Sequence, residues 1–190
     1  VRAAVAAIQR AELLETTMAD NRRLEVLAHT DPLTAVLNRR ALNERLSAEL
    51  ERVKRYESTV SLLLIDIDHF KRVNDNYGHL VGDDALTDVG ALLQSAVRTV
   101  DVVARYGGEE FVIVLPETGV VGATIFAERV RELIEEHEFS HAGSSKLHLT
   151  ASVGVATYPS PGLETVEDLL AKADQGLYRA KAEGRNRVRT

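Results

Sequence analysis

Two short acidic runs carry the chain's most specific chemical signal. Asp66-Ile67-Asp68 ends one apolar stretch, and Glu109-Glu110 opens another directly after Gly107-Gly108. If the two stretches are neighbouring strands, these carboxylates meet at one edge of a sheet. Carboxylates so placed repel by roughly a few kcal/mol unless a cation lies between them, and hard oxygen donors suit Mg²⁺ or Mn²⁺. Alternation along a strand would put Asp66 and Asp68 on one face and Ile67 on the other. A single acidic pair is more often a solvated loop feature. Two pairs, each flanking an apolar strand where it ends, weigh against that reading. Gly107 and Gly108 lack Cβ atoms, so they can reach φ > 0 and let a phosphate approach their N–H groups, although a plain hairpin turn uses the same residues. Lys71 lies five residues beyond Asp66, and Lys181 and Arg185 sit on or just past the last helical stretch. Together they could meet a polyphosphate if the fold brings them to the same edge.

Composition narrows what such a site could serve. The chain has 190 residues, 45% hydrophobic and 27% charged, which fits one soluble globular domain. It has no cysteine, so disulfides, thiolate catalysis and Cys-based zinc sites are excluded. Lys and Arg number 23 against 29 Asp and Glu, a net charge of −6. That balance is wrong for gripping a nucleic-acid polymer by its phosphates, while a small anionic substrate remains open where a metal or local cations offset the field. The longest apolar runs, such as Leu62–Ile65 and its neighbours, fall far short of the ~18 residues of a membrane span, and no signal peptide opens the chain. We expect a cytoplasmic protein. Because residue 1 is Val rather than Met, we read the chain as a fragment or processed product.

The elements that must position the site follow from periodicity. Ala4, Ala7, Ala11, Leu14, Met18 and Asn21 fall on a 3-4 spacing, the narrow seam of a two-stranded coiled coil or of a helix packed on its own domain. Thr30-Asp31-Pro32 breaks that pattern and sets a boundary between residues 1–28 and 29–190. Leu42, Leu46, Leu50 and Val53 mark an amphipathic helix, and Val60–Asp66 a central strand. Ala85, Leu86, Val89, Leu92, Leu93, Ala96 and Val97 mark a second helix. Residues 102–106 and 110–115 read as strands joined by a two-residue Gly107-Gly108 hairpin. Ala123, Phe126, Ala127, Val130 and Ile134 mark a third helix, and Leu147–Thr157 a strand. A capping box at Thr165-x-x-Asp168 opens a last helix through Ala173, Leu177 and Ala180, ended by Gly184. A tight hairpin makes its strands antiparallel, so the expected class is α+β with helices packed on a mostly antiparallel sheet. Without Gly-x-Gly-x-x-Gly or a Walker A lysine, Rossmann and P-loop folds are disfavoured. His137 and His141 lead into a Gly-Ser loop and should lie exposed, and His79 should start a helix.

Five ordered segments carry a resemblance to a known family. Asp31–Arg40 (DPLTAVLNRR), Asp66–Asp84 (DIDHFKRVNDNYGHLVGDD), Arg105–Phe111 (RYGGEEF), Ala151–Ala156 (ASVGVA) and Ala173–Arg187 (ADQGLYRAKAEGRNR) closely resemble the GGDEF domain of diguanylate cyclases in its GGEEF form. The resemblance spans residues 29–190. Ala35-Val36 departs from it, standing where a Gly-Leu pair is usual. The resemblance implies a palm-like fold, a ferredoxin-like core of the nucleotidyl cyclase type, and condensation of two GTP into cyclic di-GMP with release of two pyrophosphates. It implies that Asp66, the Ile67 carbonyl and Glu109 hold two Mg²⁺ or Mn²⁺ ions, in place of the Asp66 and Asp68 set favoured by strand alternation. One ion would activate the attacking 3′-hydroxyl and the other would clamp the phosphates. Glu110 resembles a further catalytic acid. Lys71, Lys181 and Arg185 resemble phosphate-binding residues, with Lys71 placed among the catalytic groups. Asn74 and Asp83 resemble the guanine readers. A carboxylate can accept guanine's adjacent N1–H and N2–H₂ donors, which adenine lacks. Phe70, Gly107 and Gly108 complete the implied substrate contacts.

The resemblance also implies a homodimer, because each protomer holds one GTP. A coiled coil of residues 1–28 would then raise the effective concentration of two facing domains. Arg98 and Asp101, with Arg129, resemble an inhibitory site for cyclic di-GMP. Arginine forks suit that product's phosphates and guanine edges. Two rivals stand beside this reading, a non-catalytic cyclic di-GMP receptor and a dimerising output module. Intact Asp66, Asn74, Asp83, Glu109 and Glu110 disfavour both.

Overall fold

The computed structural model describes residues 28–139 and 147–190. The coiled-coil seam expected over residues 1–28 lies outside them apart from Ala28, as does His141 of the histidine pair. Helix α1 (Arg39–Tyr56) is capped by Asn38, whose side chain accepts from the Ala41 N–H at 3.0 Å. Strand β1 (Val60–Ile67) follows, then the short helix α2 (Phe70–Tyr77) and the longer α3 (His79–Ala96). Strands β2 (Val102–Gly107) and β3 (Glu110–Pro116) form a hairpin. Helix α4 (Val120–Glu136), strand β4 (Ala151–Tyr158), helix α5 (Val166–Ala182) and the short strand β5 (Val188–Arg189) complete the order.

The sheet runs β2-β3-β1-β4-β5, antiparallel at every pairing except β4 with β5. Strand β1 is central and buried along its whole length, as its continuous apolar run requires. Its alternation sorts the core into two layers. Leu63, Ile65 and Ile67 face α3 and α4, with Val89, Leu93, Ala127 and Val130. Leu62 and Leu64 face α1 and α5, with Leu42, Leu46, Ala173 and Leu177. Asp66 continues the even-numbered series, so its side chain emerges on the α5 side.

Helix α5 rides directly on the backbone of β4. A Cβ on Gly154 would lie 1.9 Å from the Ala173 carbonyl oxygen, and one on Gly176 would lie 2.6 Å from that of Arg189. This close approach explains the glycine in ASVGVA and brings the last turn of α5 over the end of β1. The expected capping box is present, with Thr165 and Asp168 each accepting from the other's backbone N–H.

Three expectations are corrected. The hairpin turn is Gly108-Glu109 rather than Gly107-Gly108. A bulge between Arg105 and Gly107 draws Gly107 into β2, opposite Glu110, and leaves Glu109 at the tip. The last long strand begins at Ala151, not Leu147. Among the described residues Leu147 bridges only to Phe139, and Thr150 gives its carbonyl to the Asp68 N–H. His137 is half-buried rather than exposed, because its ring packs edge-on against Phe139 at 4.6 Å.

Candidate active site

The antiparallel register of β1 and β3 sets Asp66 opposite Glu110, and the Ile67 N–H donates to the Glu109 carbonyl at 3.3 Å. The two acidic runs therefore converge on one edge of the sheet, as their positions at strand ends predicted. Asp66 is 8% exposed, and Lys181, arriving from the last turn of α5, places Nζ 2.7 Å from its Oδ2. Burial pushes the Asp66 carboxyl up, against the opposing pull of Lys181 and Arg185. Burial also pushes Glu109 and Glu110 up, and the charge of Asp66 adds to both shifts. The three carboxyls thus interact electrostatically along one sheet edge, with Asp66 paired to the Lys181 ammonium. Among the described residues, however, no three of them are gathered closely enough to form a metal site by themselves. Hard oxygen donors under mutual repulsion fit a divalent cation of the Mg²⁺ class.

Asp68 is not part of that open set. Its Oδ1 accepts from Ser152 Oγ at 2.7 Å, and its Oδ2 accepts from Thr150 Oγ1 at 2.7 Å and from the Asn186 N–H at 3.0 Å. Strand β1 ends at Ile67, so the alternation that would set Asp68 beside Asp66 does not extend to it. Beyond the strand's end the Asp68 carboxylate turns into a nest of donors that strand periodicity does not reveal.

The turn that carries Glu109 is clamped from outside. Arg105 donates through Nε and Nη2 to the Gly108 carbonyl at 3.0 and 2.7 Å, and through Nη1 to Asp31 Oδ1 at 3.1 Å. Asp31 also accepts from the Thr34 N–H and hydroxyl at 2.9 and 2.8 Å. The segment of residues 31–34 ahead of α1 is thereby tied to the acidic turn, a link that sequence reasoning missed. Within this segment Ala35 adopts φ 58°, which explains why a glycine is usual at that position in the resembled family. Gly108 takes φ 41°, and no atom lies within 4 Å of where a Cβ on either Gly107 or Gly108 would stand. The backbone there is open to a ligand.

The remaining sequence candidates fall on both sides of the edge. Lys71 is exposed on the first turn of α2, and Arg185 is half-buried in the turn after α5. Phe70 is buried and Asn74 half-buried on α2, while Asp83 is exposed on α3. Helices α2 and α3 meet at Gly82, where a Cβ would lie 2.0 Å from Asn74 Oδ1 and 3.1 Å from Phe70 Cζ. Gly82, adjacent to Asp83, is a second residue that sequence reasoning missed. Glu110 borders a hollow of about 360 Å³ that it shares with Tyr106, Leu170 and Asp174.

Arg98, Asp101 and Arg129 lie away from this edge. Arg98 chelates Asp101 through Nε and Nη2 at 3.1 and 2.8 Å. The Asp101 side chain is buried, while that of Arg98 is 59% exposed, with Nη2 also donating to Thr118 Oγ1 at 3.1 Å. Arg129 stacks on Phe126 and donates to the Ala96 carbonyl at 3.2 Å, two residues from Arg98. A cavity of about 610 Å³ borders Arg98 and Asp101 and runs between α1 and the start of β2.

A five-stranded, mostly antiparallel sheet with helices on both faces sets the carboxylate edge beside a glycine turn, the arrangement that the palm-like fold implied by the resemblance calls for. The chain belongs to the GGDEF domain family of diguanylate cyclases, whose profile matches residues 28–187. It is 44% identical over 163 residues to the response regulator PleD of Caulobacter vibrioides, covering 85% of this chain and 36% of that protein. It is likewise 44% identical over 161 residues to the diguanylate cyclase DgcP of Pseudomonas aeruginosa, covering 85% of this chain and 24% of that protein. The chain thus spans about a third or less of the length of these two relatives. The crystal structure of the coiled coil and GGDEF domain of DgcB from Caulobacter crescentus, in complex with c-di-GMP, superposes with a TM-score of 0.89 at 29% identity, covering 98% of this chain and 97% of that one. No helix among the described residues is long and apolar enough to cross a membrane.

Proposed function

We infer that residues 29–190 form a diguanylate cyclase domain that condenses two GTP into cyclic di-GMP and two pyrophosphates. The observation that carries this reading is the convergence of Asp66, Glu109 and Glu110 at one sheet edge beside Lys181. Asp66, the Ile67 carbonyl and Glu109 would hold two divalent ions, Mg²⁺ or Mn²⁺. Bound there, they would supply Lewis-acid activation of a hydroxyl and charge stabilisation on the phosphates. The occupation of Asp68 by three hydrogen bonds supports this ligand set over the Asp66 and Asp68 pair.

The chain's own groups then divide the work. Lys181, Arg185 and Lys71 take the triphosphate, and the open backbone of Gly107 and Gly108 lets it approach. Asp83 accepts from guanine N1–H and N2–H₂, Asn74 reads the ring beside it, and Phe70 backs the pair. Glu110 supplies the further carboxylate on the side where the 3′-hydroxyl loses its proton. The 3′-oxygen of one GTP bonds to the α-phosphorus of the other as the bond to the β-phosphate breaks, and pyrophosphate leaves. Both bonds of the cyclic product form this way, so two protomers must face each other in antiparallel fashion.

Residues 1–28 are proposed to pair as a coiled coil that holds the two domains together and receives an upstream signal. The overlap with a DgcB structure described as coiled coil and GGDEF domain supports that role. The same structure's c-di-GMP supports product binding by this chain, for which Arg98, Asp101 and Arg129 are the proposed inhibitory site. Incubation of the chain with Mg²⁺ and either GTP or ATP, followed by chromatography, tests the reading. Cyclic di-GMP from GTP and no cyclic dinucleotide from ATP is the expected result, and no product from GTP would refute it.

A further inference from the structure

Asp68 is 5% exposed, and its two oxygens are committed to Ser152, Thr150 and the backbone N–H of Asn186. Such a cluster, drawn from three parts of the chain, needs a purpose beyond packing. Its most distant member gives the purpose. Gly184, Arg185 and Asn186 adopt φ 114°, 63° and 45°, three left-handed residues in succession. That conformation is costly for residues with side chains, so the turn needs to be held. Asp68 holds it from β1. From the other side Asn186 Oδ1 accepts from Arg131 Nη1 at 2.9 Å, and its Nδ2 donates to Glu135 Oε1 at 2.7 Å, both on α4. The turn starts where α5 ends, with the Arg185 N–H donating to the Ala180 carbonyl at 2.9 Å. It therefore fixes both Arg185 and the helix end that brings Lys181 to Asp66.

We propose that Asp68 is a positioning residue that pins the 184–186 turn, and through it holds Arg185 and Lys181 in place for the substrate triphosphate. The proposal rests on the nucleotide reading above and adds that this second aspartate acts through the phosphate-binding cations, not as a metal ligand.

Binding of a non-hydrolysable GTP analogue with Mg²⁺, measured calorimetrically, tests it across a double-mutant cycle. Asp68→Ala should weaken binding at least tenfold. The same change in an Arg185→Ala background should cost clearly less than in the wild type, the remainder being what passes through Lys181. Asp68→Asn should stay within about threefold of the wild type, since its amide oxygen can still accept from Asn186 and Thr150 while its NH₂ faces the Ser152 hydroxyl. The Mg²⁺ concentration needed for half-maximal binding should not move in that variant. Amide exchange over residues 184–187 should be at least tenfold faster in Asp68→Ala without nucleotide. If Asp68→Ala does not fold, the same cycle and exchange measurement with Asn186→Ala decides. Additive losses, unchanged exchange, or an Asp68→Asn variant that shifts the Mg²⁺ midpoint as a lost ligand would, each overturns the proposal. A wild-type chain that binds no analogue would strike the nucleotide reading instead, and the exchange measurement would still report on the turn.

Discussion

Replacing Gly82 with alanine should damage guanine recognition while leaving the fold intact. The added Cβ would stand 2.0 Å from Asn74 Oδ1, 3.1 Å from Asn74 Cγ and 3.1 Å from Phe70 Cζ. Ordinary contact needs about 3.5 Å, so the amide must retreat by more than about 1 Å. It can do so cheaply, because the obstacle is the free end of a side chain and not backbone. Alanine also gains about 1 kcal/mol over glycine within a helix, which offsets part of the strain. Net stability should change by less than about 1 kcal/mol. The displaced amide would, in contrast, lose the hydrogen bond to the base proposed above, at a cost of about 1–3 kcal/mol with the partner left unpaired. That corresponds to a rise in GTP KM of roughly 5- to 150-fold, with kcat much less affected. Steady-state kinetics beside a thermal melt separates the two effects. An unchanged GTP KM, or a collapse of the melt without a selective kinetic defect, would refute the reasoning.

Three further outcomes follow from the electrostatics and the surface sites. Thr34 and Arg105 hold the Asp31 carboxyl below its usual range, although burial opposes them. Asp31 therefore stabilises the fold above about pH 4 and loses that contribution as pH falls through its lowered value. Asp31→Asn should cost about 1–3 kcal/mol at pH 7 and flatten the acid limb of a pH-stability curve; an unchanged limb would contradict the Asp31–Arg105 clamp. Asp66, Glu109 and Glu110 shift the other way, so without a cation their contribution is present at low pH and lost as pH rises through their raised values. Mg²⁺ at tenfold its Kd should add about 1.4 kcal/mol where the three are ionised and progressively less as pH falls through their raised values, read by thermal melts with and without the ion; a shift that does not change with pH would argue against binding at these carboxylates. Arg98→Ala should relieve inhibition by added cyclic di-GMP without altering the initial rate, and inhibition of undiminished strength in that variant would dismiss the site.

Much of the fold was legible because its signals are local and periodic. The run Val60–Asp66 could only be a central strand, Thr165 and Asp168 declared the start of α5, and the acidic runs at two strand ends declared a shared edge. The glycine turn was legible in kind but not in register, since the bulge between Arg105 and Gly107 depends on how β2 meets β3. The roles of Asp68 and Asp31 were out of reach for a different reason. Thr150 lies 82 residues from Asp68, Asn186 lies 118 residues away, and Arg105 lies 74 from Asp31. No periodicity links such pairs. Gly82 escaped notice because its meaning is an absence: the space its missing Cβ leaves is taken by Asn74.

The central claim, that the Asp66, Glu109 and Glu110 edge converts GTP into cyclic di-GMP, is tested most directly by product stoichiometry. The wild-type chain and Glu110→Gln would be incubated with GTP and Mg²⁺ at equal protein concentration, with cyclic di-GMP and pyrophosphate both quantified. The account predicts two pyrophosphates per cyclic di-GMP from the wild type and a loss of at least a hundredfold in the variant. Pyrophosphate without cyclic di-GMP, or a variant as active as the wild type, would contradict it.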